Sequence, residues 1–439
     1  MNWKIYKYRL LLLLLGGVAC LSAEAQSDTL FMSVERLFEL GWRHSLLFQA
    51  DALKENIAEE QERGARIDRL PDLEIGVRGG FVGQPVIFRK GLSEPYRPAT
   101  PDWSQNYAVD FTQAIYRGGK SRFTIRKAEM ERSLASLQTE TDAADLKLSL
   151  LEQYLQLFYL YRQQEVLVRN IEESERRLHD IRRMKEEGLI TNNDVLRSEM
   201  QLTNDRLARQ ETENDILLVS QQLDILLGLD ENCLLEPDTT LLRRSIALES
   251  YEVYVNEAYE EDPTMKGLRM QTEIAKTEID LARSALRPEL SLYASNTLAR
   301  PVARTMEDLY NNNWNIGLSL TFPLFSLYKG RHKIRESHLA VALHRNAEDQ
   351  EMQRIRGRVR TAFLRYREAI QQVEALQLSE IQAMENYRIM QNRYMNQLAI
   401  LTDLLDANSV RLEVALQLTA ARTRVVYTYY QLLRACGKI

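Results

Sequence analysis

The chain has 439 residues, 45% of them hydrophobic and 27% charged, with a formal net charge of −5. This mild acidity argues against nucleic acid as the main partner, and 18 Gly and 10 Pro suit a mostly helical chain. Beyond the N-terminus no apolar run is long enough for a spanning helix, so a membrane crossing by the mature chain has to be a barrel.

Residues 1–25 read as a signal peptide. Lys4, Lys7 and Arg9 form a basic start, Leu10 to Leu15 an apolar run, and Ala23-Glu24-Ala25 a small-x-small cleavage site. Cleavage after Ala25 makes Gln26 the mature start. Lipoprotein processing at Cys20 is the rival reading, although Gly17 stands where a bulky aliphatic residue is usual. Cys233 and Cys436 remain in the exported chain. The residues alone leave open a disulfide between them or two reduced thiols.

Thr29 to Arg69 has Leu37, Leu40, Leu47, Ala50 and Leu53 at helical spacing and ends at Leu70-Pro71. The period then drops to two. Leu73, Ile75 and Val77 share one strand face; after a Pro-rich loop, Tyr107, Val109, Phe111 and Ile115 share another. This gives a hairpin over 71–116. A proline-free helical pattern fills 118–187, roughly 70 residues or about 100 Å of helix, with Leu146, Leu150, Tyr154, Leu157 and Tyr161 as its stripe. Gly188 ends it, and a further helix is expected over 193–228.

After a linker at 231–250 the order repeats. A helix from Tyr251 stops at Arg287-Pro288 and a hairpin covers 289–325. Leu290, Leu292, Ala294 and Leu298 form one apolar strand face; Trp314, Ile316, Leu318, Leu320 and Phe322 form the other. Helices are expected over 330–395 and 401–434. Residues 26–230 and 251–439 are therefore two copies of one repeat. All four strands set apolar residues on one face and small polar residues on the other. That pattern suits a soluble sandwich hairpin or a barrel wall between lipid and water. Four strands cannot close a barrel. Two copies of the chain give a filled eight-stranded barrel, and three give twelve strands with a channel.

No enzymatic constellation stands out and no cofactor is expected. Gly118-Gly119-Lys120-Ser121 imitates a phosphate loop, but its first glycine position is Ala114. His332, His338 and His344 are spaced six apart and share no metal-binding face. At the ends of the long helices, Asp403 and Asp406 lie three apart on one helix face. Asp194-Val195-Leu196 stands in the first repeat where Asp403-Leu404-Leu405 stands in the second. The residues alone allow two roles for these acids, dipole-favoured residues at a helix start or a functional ring.

The chain resembles the TolC, or outer membrane efflux protein, family. The likeness rests on the doubled architecture, Phe111-Thr112-Gln113, Thr321-Phe322-Pro323-Leu324-Phe325, Gly118-Gly119 and Gly330, and the tips Gly188-x-x-Thr191-x-x-Asp194-Val195-Leu196 and Asp403-Leu404-Leu405-Asp406-Ala407. It departs from the family at Ala114, where a proline is usual. The resemblance implies a mainly α fold with a membrane β-barrel part. Four strands from each chain of a homotrimer would make a 12-stranded barrel in outer-membrane lipid, continued by an α-helical coiled-coil tunnel in the periplasm of a Gram-negative bacterium. It implies the exit duct of an efflux pump, with a periplasmic adaptor and an inner-membrane transporter of RND or ABC type. The outer component of a type I protein secretion system is the alternative within the family, and a periplasmic coiled-coil scaffold without channel activity is the alternative outside it. Asp403 and Asp406 would ring the closed periplasmic entrance. Tyr394 and Asp194 would latch it. The latch arginine's place is taken by Ala399, leaving Arg393 as the candidate donor. Gly188, Leu189, Ile190 and Thr191, with Asn396, Gln397 and Leu398, would meet the adaptor.

Overall fold

A computed structural model of the chain describes residues 29–97, 99–231, 233–238, 248–302 and 308–439. The expected signal peptide, with Cys20 and Ala25, the expected mature start Gln26 and much of the expected linker lie outside the described residues. No described helix is long and apolar enough to cross a membrane.

The first described residues differ from their periodicity. Thr29–Met32 is a strand, β1, paired in parallel with β6 (Leu234–Pro237). Ser33 then caps α1 (Val34–His44), its Oγ accepting the Arg36 N–H at 3.3 Å. The chain breaks at Ser45 before α2 (Leu46–Ile67). The partner of β1 lies some 200 residues away, and no local pattern carries that pairing. The helix expected from Tyr251 is likewise two, α5 (Tyr251–Glu261) and α6 (Pro263–Ser284). Pro263 cannot donate within a helix. It opens α6 instead, under Asp262, whose carboxylate accepts the Thr264 N–H at 2.9 Å.

β2 (Asp72–Phe81), β5 (Trp103–Arg117), β7 (Glu289–Arg300) and β8 (Asn311–Thr321) form one antiparallel sheet in that order. The loop between β2 and β5 holds an unexpected hairpin, β3 (Ile87–Lys90) and β4 (Ser93–Tyr96). Across the sheet Leu73, Phe111, Ala294 and Ile316 fall in one row, and Ile75, Val109, Asn296 and Trp314 in the next. The intervening rows are polar, as in Glu74, Asp110, Ser295 and Asn315. The apolar face is bare: Ile75 is 72% exposed, Trp314 71% and Ile316 64%.

The long helices are α3 (Lys120–Glu186), α4 (Asn192–Leu227), α7 (Leu324–Met395) and α8 (Leu401–Ala435). Gly118 adopts φ +62°, and a Cβ there would stand 2.5 Å from the Ser284 carbonyl oxygen. α7 starts before Gly330, so that glycine is not a helix start. A Cβ on it would sit 2.4 Å from Leu286 Cδ2, so Gly330 permits a close helix approach.

The chain forms two compact units that cut across the sequence repeats. One comprises the chain through Phe48, Asp142–Ala258 and Arg356–Ile439; the other comprises Gln49–Thr141 and Tyr259–Ile355. The first contains a core of Leu37, Leu150, Leu151, Tyr154, Leu157, Leu223 and Leu227. Its Tyr154 hydroxyl donates to the Met32 carbonyl at 3.0 Å, fastening β1 to α3. In the same unit Val359 and Tyr366 from the expected α7 stripe are buried, and Ile355 from that stripe is buried in the other unit. Phe363 from that stripe is only half-buried. Cys233 and Cys436 form no disulfide.

Candidate functional site at the helical tips

The two tips share one construction. α3 ends in a Schellman motif: Leu189 N–H donates to the Met184 carbonyl and Gly188 N–H to the Lys185 carbonyl, both at 2.9 Å, with Gly188 at φ +76°. α7 ends the same way. Leu398 N–H donates to Arg393 at 2.8 Å and Gln397 N–H to Tyr394 at 2.9 Å, with Gln397 at φ +59° in the glycine's place. Gly188, Leu189, Thr191, Asn396, Gln397 and Leu398 are exposed. Ile190 is half-buried and packs on the tip core.

Asp194 closes a capping box at the start of α4. Its Oδ2 accepts the Thr191 N–H at 3.0 Å and the Thr191 hydroxyl at 2.8 Å. Asp403 is the corresponding residue of α8, its own N–H donating to the Ile400 carbonyl at 3.2 Å. Ile400 has no side-chain oxygen, so the Asp403 carboxylate has no such cap to close. Asp403 and Asp406 are both exposed, while Leu404 and Ala407 between and beside them are buried in the tip core. The helix geometry thus turns the two acids away from the apolar contact.

Tyr394 is 4% exposed and its hydroxyl has no hydrogen-bond partner among the described residues. Burial, with a smaller contribution from the nearby Asp194 charge, pushes this phenol up to about 12. Asp194 is therefore near Tyr394 without bonding to it. The Arg393 guanidinium reaches the Leu398 carbonyl at 3.4 Å, within its own tip. At the level of the tips a polar link between the two hairpins runs from Arg197 to the Thr402 hydroxyl, 2.7 Å.

A stronger set of links lies further along the bundle, and sequence reasoning missed it. The Asp205 carboxylate on α4 accepts Asn170 Nδ2 at 2.9 Å, Ser174 Oγ at 3.0 Å and Gln201 Nε2 at 2.9 Å. Arg177 donates to Ser174 Oγ at 2.7 Å and to the Tyr387 hydroxyl at 3.1 Å. Asn408 on α8 donates to Asn170 Oδ1 at 3.0 Å, and Arg411 joins Asn408 at 2.9 Å to Glu173 at 2.5 Å. The Arg411 guanidinium also lies 4.2 Å from the Tyr387 ring centroid. Asn170, Ser174, Arg177, Asp205 and Asn408 are all buried. Four helices share one satisfied polar network in a low-dielectric interior, where each bond polarises the next. Between it and the tips is a cavity of about 230 Å³, lined in part by Arg177, Asp180, Tyr387, Gln391 and Tyr394. The available signal was spacing. Asn170, Ser174 and Arg177 follow each other by four and three, interleaved with buried Ile171, Leu178 and Ile181.

The sequence matches no curated protein. Residues 254–438 match the family profile described as outer membrane efflux protein. The fold is similar to that of CusC, at TM-score 0.77 and 15% identity over 95% of each chain. It is similar to VceC of Vibrio cholerae at TM-score 0.74 and 16% identity, over 92% of this chain and 96% of that one. MtrE of Neisseria gonorrhoeae, solved in an open state, matches at TM-score 0.72 and 15% identity over 92% and 88%. The profile spans nearly all of the second repeat, and the similar fold runs through both repeats.

Proposed function

We propose that three copies of the chain close their sheets into a twelve-stranded barrel and form the exit duct of a tripartite efflux pump. The match of residues 254–438 to the outer membrane efflux protein profile and the fold shared with MtrE support a place in the bacterial outer membrane, with the helical part in the periplasm. The observation that carries the reading is the bare apolar sheet face. Leu73, Ile75, Val77, Val109, Trp314, Ile316, Leu318 and Leu320 are all exposed, and the opposite face is polar. Each such side chain gains about 1.5–3 kcal/mol when removed from water, so water is the wrong solvent for this face and lipid is a fitting one. β2 and β8 end the sheet, and their outer edges offer unpaired backbone groups to a neighbouring copy.

In this reading Asp403 and Asp406 from three copies ring the periplasmic entrance. The exposed tips, with Leu189 and Leu398 as their apolar points, receive a periplasmic adaptor that links the duct to an inner-membrane transporter. The cargo is chosen by that transporter. Outer-membrane fractions should contain a heat-modifiable trimer. A photo-crosslinker at Leu189 or Leu398 should capture the adaptor in cells. A chain found only in the soluble periplasmic fraction would instead support the scaffold reading.

A further inference from the structure

The hairpin of β3 and β4 is the least expected element of the sheet-bearing unit. It belongs to the excursion between Phe81 and Trp103, at the end of the sheet opposite the strand–helix junctions at Arg117 and Thr321. Its register puts Ile87 opposite Tyr96 and Phe88 opposite Pro95, so successive rows set apolar residues on both faces of the ribbon. Neither face is covered: Phe88 is 44% exposed, and Leu92 at the turn is 89% exposed. The turn is nonetheless built. Ser93 Oγ donates to the Lys90 carbonyl at 2.7 Å, and Lys90 pairs with Glu94 at 3.5 Å. A lone two-stranded ribbon is marginal in water, and one apolar on both sides needs an apolar medium.

Two observations identify that medium. The hairpin lies in the chain between Phe81 and Trp103, where the apolar sheet face ends with these two rings packed edge-on, centroids 5.0 Å apart. An aromatic pair at that level is what an interfacial girdle requires. The segment 86–97 also carries three basic residues against one acid. Three copies of a cationic hairpin repel one another over a pore mouth, whereas a cationic, apolar ribbon fits an anionic lipid surface.

We infer that the β3–β4 hairpin is a lipid-docking element, seating Leu92 and Phe88 in the outer leaflet and Lys90 and Arg97 among anionic headgroup phosphates. This rests on the barrel reading, and the test separates the two. Spin labels are placed one at a time at Leu92→Cys and Ile316→Cys in a Cys233→Ser, Cys436→Ala trimer. Each is reconstituted into phosphatidylcholine vesicles with and without phosphatidylglycerol. Collision rates with oxygen and with a water-soluble nickel chelate report depth. The Leu92 label should show several-fold higher oxygen-to-nickel accessibility than an aqueous control at Glu211→Cys, deepening when phosphatidylglycerol is present. Lys90→Glu with Arg97→Glu should abolish that deepening. A water-exposed Leu92 label beside a lipid-exposed Ile316 label overturns the docking proposal alone. If the Ile316 label is also water-exposed, the barrel reading falls and the docking proposal falls with it. A buried Leu92 label indifferent to phosphatidylglycerol and to charge reversal also overturns the anionic-lipid assignment.

Discussion

Arg177 Nη1 donates to the Tyr387 hydroxyl at 3.1 Å, joining α3 to α7 across 210 residues of sequence. Two turns further along α7, the equally buried Tyr394 has no partner for its hydroxyl. The two tyrosines thus make opposite predictions under the same substitution. Tyr387→Phe removes a hydrogen bond from a charged donor and should cost about 1.5–3 kcal/mol, visible as a lower Tm of the solubilised trimer. Tyr394→Phe removes an unpaired hydroxyl and should change stability by less than about 0.5 kcal/mol. A large loss at Tyr394→Phe would mean that this hydroxyl is held in the assembled trimer.

The same network sets how firmly α7 and α8 are held against α3 and α4. Arg411→Ala breaks the links to Asn408 and Glu173 and exposes the Tyr387 ring. Amide hydrogen exchange in α8 should accelerate around Asn408, and single-channel records should show more frequent open events. Unchanged exchange there would remove the network from any account of opening.

Asp403 and Asp406 project away from the tip core, so replacing them should leave the fold intact. The Asp403→Asn, Asp406→Asn double variant should keep the wild-type Tm within about 0.5 kcal/mol of stability. It should also lose cation preference and block by multivalent cations in single-channel recordings. Unaltered selectivity would place the constriction elsewhere.

Asp224 near the end of α4 is fully buried, and neither carboxylate oxygen has a hydrogen-bond partner among the described residues. Burial, with a smaller contribution from Asp230, pushes its carboxyl from 3.8 to about 6. The folded state therefore holds this proton more tightly than the unfolded chain does. Stability is fullest below pH 3.8 as far as this group is concerned, falls as pH rises through the folded value of about 6, and stays reduced above it. Asp224→Asn should raise Tm at pH 8, with the gain disappearing below pH 4. A gain independent of pH would point to packing instead.

Gly118 joins β5 to α3 at φ +62°, with Ser284 and Arg287 pressed against it. Arg287 donates to the Gly118 carbonyl at 2.9 Å, which fixes the junction. Gly118→Ala adds backbone strain of at least about 1 kcal/mol and a clash besides. Trimer yield from outer membranes should fall, and near-normal yield would show that the junction relaxes.

Much of this architecture was legible because it is periodic. The strand alternation around Ile75 and Ile316 and the proline-free run from Lys120 to Glu186 are local patterns written many times over. β1 was not legible, since Thr29–Met32 becomes a strand only through Leu234–Pro237. The β3–β4 hairpin was hidden in a Pro-rich loop with no alternation long enough to read. At the tips the shared Asp194 and Asp403 positions were visible, but the binding of the Asp194 carboxylate to the Thr191 cap depends on how the turn folds. Asn170, Ser174 and Arg177 look like a solvated helix face until their partners on α4, α7 and α8 are known.

The central claim is that the sheet forms part of a conducting barrel. Reconstitution of the purified trimer into a planar bilayer tests it most directly. The account predicts discrete, cation-preferring conductance steps that change in the Asp403→Asn, Asp406→Asn variant. A trimer that inserts without conductance, or a chain that never enters the bilayer, would contradict it.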